Sequence, residues 1–165
     1  MTDGTGREHP EKFPRIFLVV LDESAELGVA LKYASYRARN SGGRVALLVV
    51  TESADFQHWM AVEDIMREER RTEAEQILQR HARVVNELTG KMPGLYVREG
   101  NRREELLRLI EEEPSISILV LGAGTGPEGP GPLVSYLTGK GVSKLSIPLT
   151  VVPGTLTEEQ LLVVT

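Results

Sequence analysis

The sequence predicts an α/β protein built on a parallel sheet with helices on both faces. Two observations predict it. Five short apolar runs recur along the 165 residues, and stretches with helical spacing lie between them. Four of the runs are rich in Val, Ile or Leu without strict alternation, as in strands buried on both faces. Strict alternation of the two element types implies parallel strands joined by right-handed crossovers. The length suits one domain with a sizeable core.

The elements follow in order. Residues 1–13, "MTDGTGREHPEKF", are polar and read as a loose N-terminal tail. "RIFLVVL" (15–21) is the first strand. Ser24 is the expected N-cap of the first helix, with Leu27, Ala30, Leu31, Ala34 and Ala38 as its apolar stripe and "NSGG" (40–43) as its stop. "RVALLVVT" (44–51) is the second strand, and a long helix covers 61–88 with Ala74, Ile77, Leu78, Val85 and Leu88 facing inward. "GLYVREG" (94–100) is the most polar strand and is expected nearer a sheet edge. A helix over 101–114 has Asn101 as cap and Pro114 as terminator. "ISILVLG" (116–122) is the fourth strand. A helix over 133–145 is interrupted by Gly139 and Gly141, each costing about 1 kcal/mol relative to Ala. "PLTVVPG" (148–154) is the fifth strand, and 155–165 is a C-terminal tail expected as a short helix or an extra strand.

Composition narrows the function. The net charge of −5 and pI of about 5.3 give a surface that repels polyanions, so nucleic acid is not an expected partner. The absence of cysteine excludes disulfides and thiolate chemistry. No signal-like or membrane-length apolar segment is present, so the expected location is cytoplasmic, with no membrane partner.

Ligands of open α/β sheets sit at the carboxyl ends of strands, where strand order reverses. Two loops there carry suitable chemistry: "LDESAEL" after the first strand and "GAGTGPEGPGP" after the fourth. Asp22 follows a buried strand, and its carboxylate suits a ligand amine or hydroxyl, or the free N–H groups of the turn. Gly122, Gly124, Gly126, Gly129 and Gly131 permit close approach of a ligand. Pro127, Pro130 and Pro132 supply no N–H, however, and Glu128 adds negative charge. No basic residue lies between Arg108 and Lys140, so the loop opposes a triphosphate unless a metal or a distant cation compensates. Thr125, Ser135 and Tyr136 keep hydroxyls for sugar or phosphate oxygens. Neither a GxGxxG after the first strand nor a P-loop is present. Asp55, His58, Glu63 and Asp64 match no standard metal spacing. The segment Asp55–Met60, "DFQHWM", reads as an aromatic patch for folding back or for a partner. His81, on the apolar side of the long helix, reads as structural.

Several segments together resemble the universal stress protein family: "FLVVLDESAELGVALKYA" (17–34), "VALLVVTE" (45–52), "VREGNRREELLRLIEE" (97–112), and "LVLGAGTG" (119–126) leading to "SIPLTVVPG" (146–154). The resemblance implies a three-layer α/β/α sandwich over residues 14–154, with a five-stranded parallel sheet in the order 3-2-1-4-5. It also implies homodimers, often with the last strands pairing, and in some members binding of ATP or AMP. Nucleotide-binding members carry a glycine, two residues, a glycine, nine residues, then glycine and Ser or Thr. Laid on without gaps, Gly122 matches the first glycine, while Thr125, Ser135 and Tyr136 stand at the other three positions. A shifted register (Gly126, Gly129, Gly139, Lys140) shortens the last helix by about a turn and is not preferred. Asp22 and Val50 match positions near adenine. The expected function is ligand or partner binding in a stress response, with weak or altered adenine-nucleotide binding at Asp22, Val50, Gly122, Gly124, Thr125, Ser135 and Tyr136. The alternative is a nucleotide-independent dimeric interaction module with an unknown protein partner, and a small-molecule enzyme is less expected still.

Overall fold

The computed structural model describes residues 14–52 and 60–165. The apolar runs form β1 (Ile16–Val20), β2 (Arg44–Thr51), β3 (Gly94–Glu99), β4 (Ile116–Ala123) and β5 (Leu149–Pro153). All neighbours pair in parallel, in the order β3-β2-β1-β4-β5. The expected sheet order is therefore present, and the polar third strand is an edge. Between the strands lie α1 (Leu27–Ser41), α2 (Met60–Thr89), α3 (Arg102–Glu112) and α4 (Pro132–Leu137), and α5 (Glu158–Val164) follows β5.

The strands are apolar on both faces because two separate cores need them. Phe17, Val19, Val45 and Leu47 face α1, α2 and α5, meeting Leu31, Ala34, Leu78, Val85 and Leu161. Leu18, Val20, Ala46 and Leu48 face α3 and α4, meeting Leu106, Leu109, Val134 and Leu137. A bulge opens β4, where Ile16 pairs with Ile116 but Phe17 pairs with Ile118. The bulged residue is Ser117, whose hydroxyl oxygen accepts from the Ile16 N–H at 3.1 Å.

Two elements depart from the sequence reading, and a third resolves one of its alternatives. Ser24 does not cap α1: the helix begins at Leu27, with Glu26 in the N-cap position and no side-chain cap. Ser24 is instead turned back by Asp22, whose Oδ1 accepts from the Ser24 N–H at 3.0 Å and from its Oγ at 2.5 Å. The expected helix over 133–145 breaks into α4 and a 3-10 segment, Lys140–Lys144, on either side of Gly139. Of the two expectations for residues 155–165, a short helix or an extra strand, the helix is the one present. Thr157 and Gln160 form a reciprocal capping box, and α5 buries Leu161 against the α1 side of the sheet. Lys32 and Tyr36 of α1 both donate hydrogen bonds to the Glu158 carboxylate. Among the described residues no helix is long and apolar enough to cross a membrane.

Candidate functional site

β1 and β4 are neighbours, and the loops leaving their carboxyl ends face each other. Between them lies a cavity of about 250 Å³, with Asp22, Ser24, Glu26 and Gly122 among its walls. Three elements build it. β1 ends in the Asp22–Ser24 turn, which carries the chain over the carboxyl end of the sheet into α1. β4 ends at Gly122 and Ala123, before the proline-rich loop. α3 begins at the same end of the sheet, because Gly100 (φ +141) turns β3 sharply into the Asn101 cap. That turn brings Asn101, Arg102 and Arg103 to the cavity wall.

Asp22 serves the turn with one oxygen only. Its Oδ2 makes no hydrogen bond among the described residues, and the side chain borders both this cavity and a wider adjoining groove of about 1050 Å³. Val50 lines the wider groove, together with α2 residues that include His81. The His81 Nδ1 lies 2.8 Å from the Ile77 carbonyl oxygen, a bond within its own helix.

Glu26 packs closely on the glycines that end β4 and follow β5. A Cβ on Gly122 would lie 2.8 Å from the Glu26 carbonyl oxygen and 2.9 Å from its Cγ. A Cβ on Gly154 would lie 2.7 Å from the Glu26 Cβ, and one on Gly124 would be 3.6 Å from its Oε1. The glycine loop spends two of its N–H groups on itself: Gly124 donates to the Pro130 carbonyl at 3.1 Å and Gly129 to that of Gly126 at 3.2 Å. Gly129 and Gly131 take positive φ values of 87° and 113° to close this turn. Pro127 and Pro130 have no N–H to offer, and Glu128 sets a negative charge beside the N–H groups that remain.

The predicted site residues divide into three groups. Asp22 and Gly122 meet in the cavity. Gly124 and Thr125 border a separate depression outside the loop. Ser135 is exposed, and neither it nor Tyr136 lines the cavity, the groove or that depression. The Tyr136 ring lies flat beneath the Arg103 guanidinium, 4.4 Å from centroid to carbon, and against Gly141. Of the segment Asp55–Met60, residues 55–59 lie outside the described residues. Glu63 pairs with Arg70 at 2.9 Å, and among the described residues no cluster of three metal-ligating side chains occurs.

A model described as the universal stress protein family matches residues 14–153. The chain belongs to the universal stress protein family. Solved structures agree in fold. The universal stress protein UspA from Lactobacillus plantarum is 19% identical, with 84% of this chain and 97% of that chain covered and a TM-score of 0.69. A universal stress family protein from Burkholderia pseudomallei is 19% identical over 84% and 95% of the two chains, with a TM-score of 0.60. A universal stress protein solved in complex with cAMP is 15% identical over 84% and 96%, with a TM-score of 0.58. No curated protein matches the chain.

In this universal stress protein, sequence reading missed Glu26, Arg102 and Arg103 as cavity residues and placed Asn101 only as a helix cap. Nothing local in the sequence marks Glu26 as the residue packed beneath the glycines. The arginines lie some twenty residues before the glycine loop, and only the sheet order brings them to it.

Proposed function

We propose that this universal stress protein works by reversible binding, and that its crevice takes an adenosine monophosphate rather than ATP. The observation that carries the reading is an Asp22 oxygen without a hydrogen-bond partner among the described residues, set beside Gly122, whose space Glu26 already occupies. Asp22 Oδ2 suits the exocyclic amine or sugar hydroxyls of a nucleoside. The volume of about 250 Å³ lies just below the usual range for small-molecule sites, about 300–1,000 Å³. Glu26 and Glu128 both oppose a polyphosphate tail near the glycines. The relative in complex with cAMP, which carries one phosphate on adenosine, supports the same ligand class.

Calorimetric titration of the purified protein with AMP and with Mg·ATP tests the reading. AMP is expected to bind at least as tightly as ATP, and Asp22→Asn to weaken AMP roughly tenfold through loss of one charged hydrogen bond. Preferential ATP binding, or no binding of either nucleotide, would sink it.

We also propose a homodimer. β5 is a free sheet edge with Val151 partly exposed, and the adjoining α5 exposes Leu162, Val163 and Val164. Light scattering that gives a monomer at 100 μM (about that order, tight enough for a weak interface) would remove this reading.

A further inference from the structure

The crevice has a cationic wall that the glycine loop does not supply. Arg102 borders both the cavity and the wider groove, at the point where they join. It is half-buried, and among the described residues its Nε is shut off from solvent without a hydrogen-bond partner and it makes no ion pair. An unsatisfied buried donor on a charged group is costly unless something fills it. The neighbouring arginines of α3 differ from it. Arg108 is paired with Glu105, and Arg103 is held on the Tyr136 ring. The Arg102 guanidinium keeps its donors for a planar or tetrahedral anion.

The facing wall is acidic. Asp22 and Glu26 lie on the β1–α1 side, Glu52 follows β2, and Arg102 and Arg103 stand on the α3 side. A cavity of this size with opposite charge on its two walls fits a ligand with hydroxyl or amine donors at one end and an anion at the other. We propose that Arg102 binds the phosphate of the crevice ligand from the α3 wall, assisted by Arg103, in place of the glycine loop. Tyr136 is then a positioning residue: its ring face, not its hydroxyl, holds the Arg103 guanidinium beside the cavity. This inference rests on the reading of the crevice as a nucleoside monophosphate site, and it concerns which residues hold the phosphate.

The test compares AMP, adenosine and inorganic phosphate on the full chain and on Arg102→Gln, Arg102→Lys and Tyr136→Phe. AMP is expected to bind the native protein roughly tenfold or more tighter than adenosine. Arg102→Gln brings AMP down to the level of adenosine and leaves adenosine unchanged. Arg102→Lys keeps part of the preference, because it keeps the charge but loses the two-pronged geometry, and it serves if the Gln variant does not fold. Tyr136→Phe keeps all of it, since the ring face survives. An AMP preference that persists in Arg102→Gln overturns the inference, whatever the affinity for the nucleoside. If neither AMP nor adenosine binds, the monophosphate reading fails and phosphate alone decides. Chemical-shift changes at Arg102 on phosphate addition, lost in the Gln variant, then keep the anion site. Their absence, or their persistence in the variant, overturns it.

Discussion

Replacing Gly122 by Ala tests whether the glycine loop is shaped for Glu26 or for a ligand. The added methyl carbon would stand 2.8 Å from the Glu26 carbonyl oxygen and 2.9 Å from its Cγ. The side-chain contact can be relieved by a rotamer change, but the carbonyl belongs to the first turn of α1 and moves only with the helix. Forcing one methyl into such a site costs roughly 1–3 kcal/mol. Gly122 has no positive φ, so Ala also gains about 0.4–1 kcal/mol by restricting the unfolded chain. The net expectation is a loss of about 1–2 kcal/mol, with no ligand present. At the roughly 2–4 °C per kcal/mol typical of chains this size, that is a Tm lower by about 2–8 °C. Gly126→Ala is the control, because its Cβ would meet nothing within 4 Å and its φ is ordinary. It should leave stability level or slightly raised. Urea unfolding followed by far-UV circular dichroism gives both midpoints, and equal slopes keep the comparison sound. If Gly122→Ala and Gly126→Ala unfold together, the close approach of Glu26 does not govern this loop and the reasoning fails.

Two further outcomes follow from local contacts. The hydrogen bond from Tyr36 and that from Lys32 hold the Glu158 carboxyl below its ordinary range, while the same bond and burial raise the Tyr36 phenol. A depressed carboxyl contributes stability above its unfolded pKa and loses it as pH falls through the folded value; a raised phenol contributes below its unfolded pKa and loses it as pH rises through the folded value. Protection of the α5 amides against hydrogen exchange should therefore hold across neutral pH and fall at both the acid and the alkaline end. Glu158→Gln should flatten the acid limb, and an unaltered limb in that variant would discount the contact. Asn101→Ala removes the oxygen that accepts from the Glu104 N–H at 3.2 Å. It should cost about 1 kcal/mol in chemical denaturation, with Asn101→Asp near native. Equal midpoints for the two variants would show that the cap contributes nothing.

The sheet was legible because burial on both faces leaves a strong mark in Val, Ile and Leu, and the polar "GLYVREG" correctly sat at an edge. Asn101 was legible because a cap is a local event, bonding only three residues ahead. Ser24 misled for a related reason: it has a cap's chemistry, but Asp22 competes for it from two residues back. The helix α5 stood only as one of two alternatives, because the capping box in "TEEQ" went unread and the exposed "LVV" of that helix blurs its period. The crevice was half legible. Asp22 and Gly122 lie at strand tips, where topology alone directs attention. The cations were sought along the chain near the glycines, whereas the first turn of α3, from a different part of the sequence, supplies them. Tyr136 shows the limit of matching by position, since a hydroxyl-bearing residue at the right count turns out to offer its aromatic face.

The bulge at Ser117 has a consequence several residues downstream. Side chains alternate along a strand, so one surplus residue reverses the facing of everything after it. Ile116 shares the α3 side with Leu119, Leu121 and Ala123, which a regular strand would forbid. Without that offset, Leu121 would be thrust against Glu26 and Gly122 would look the other way. A single inserted serine thus sets the phase by which β4 delivers its one side-chain-free position to the place where α1 needs room.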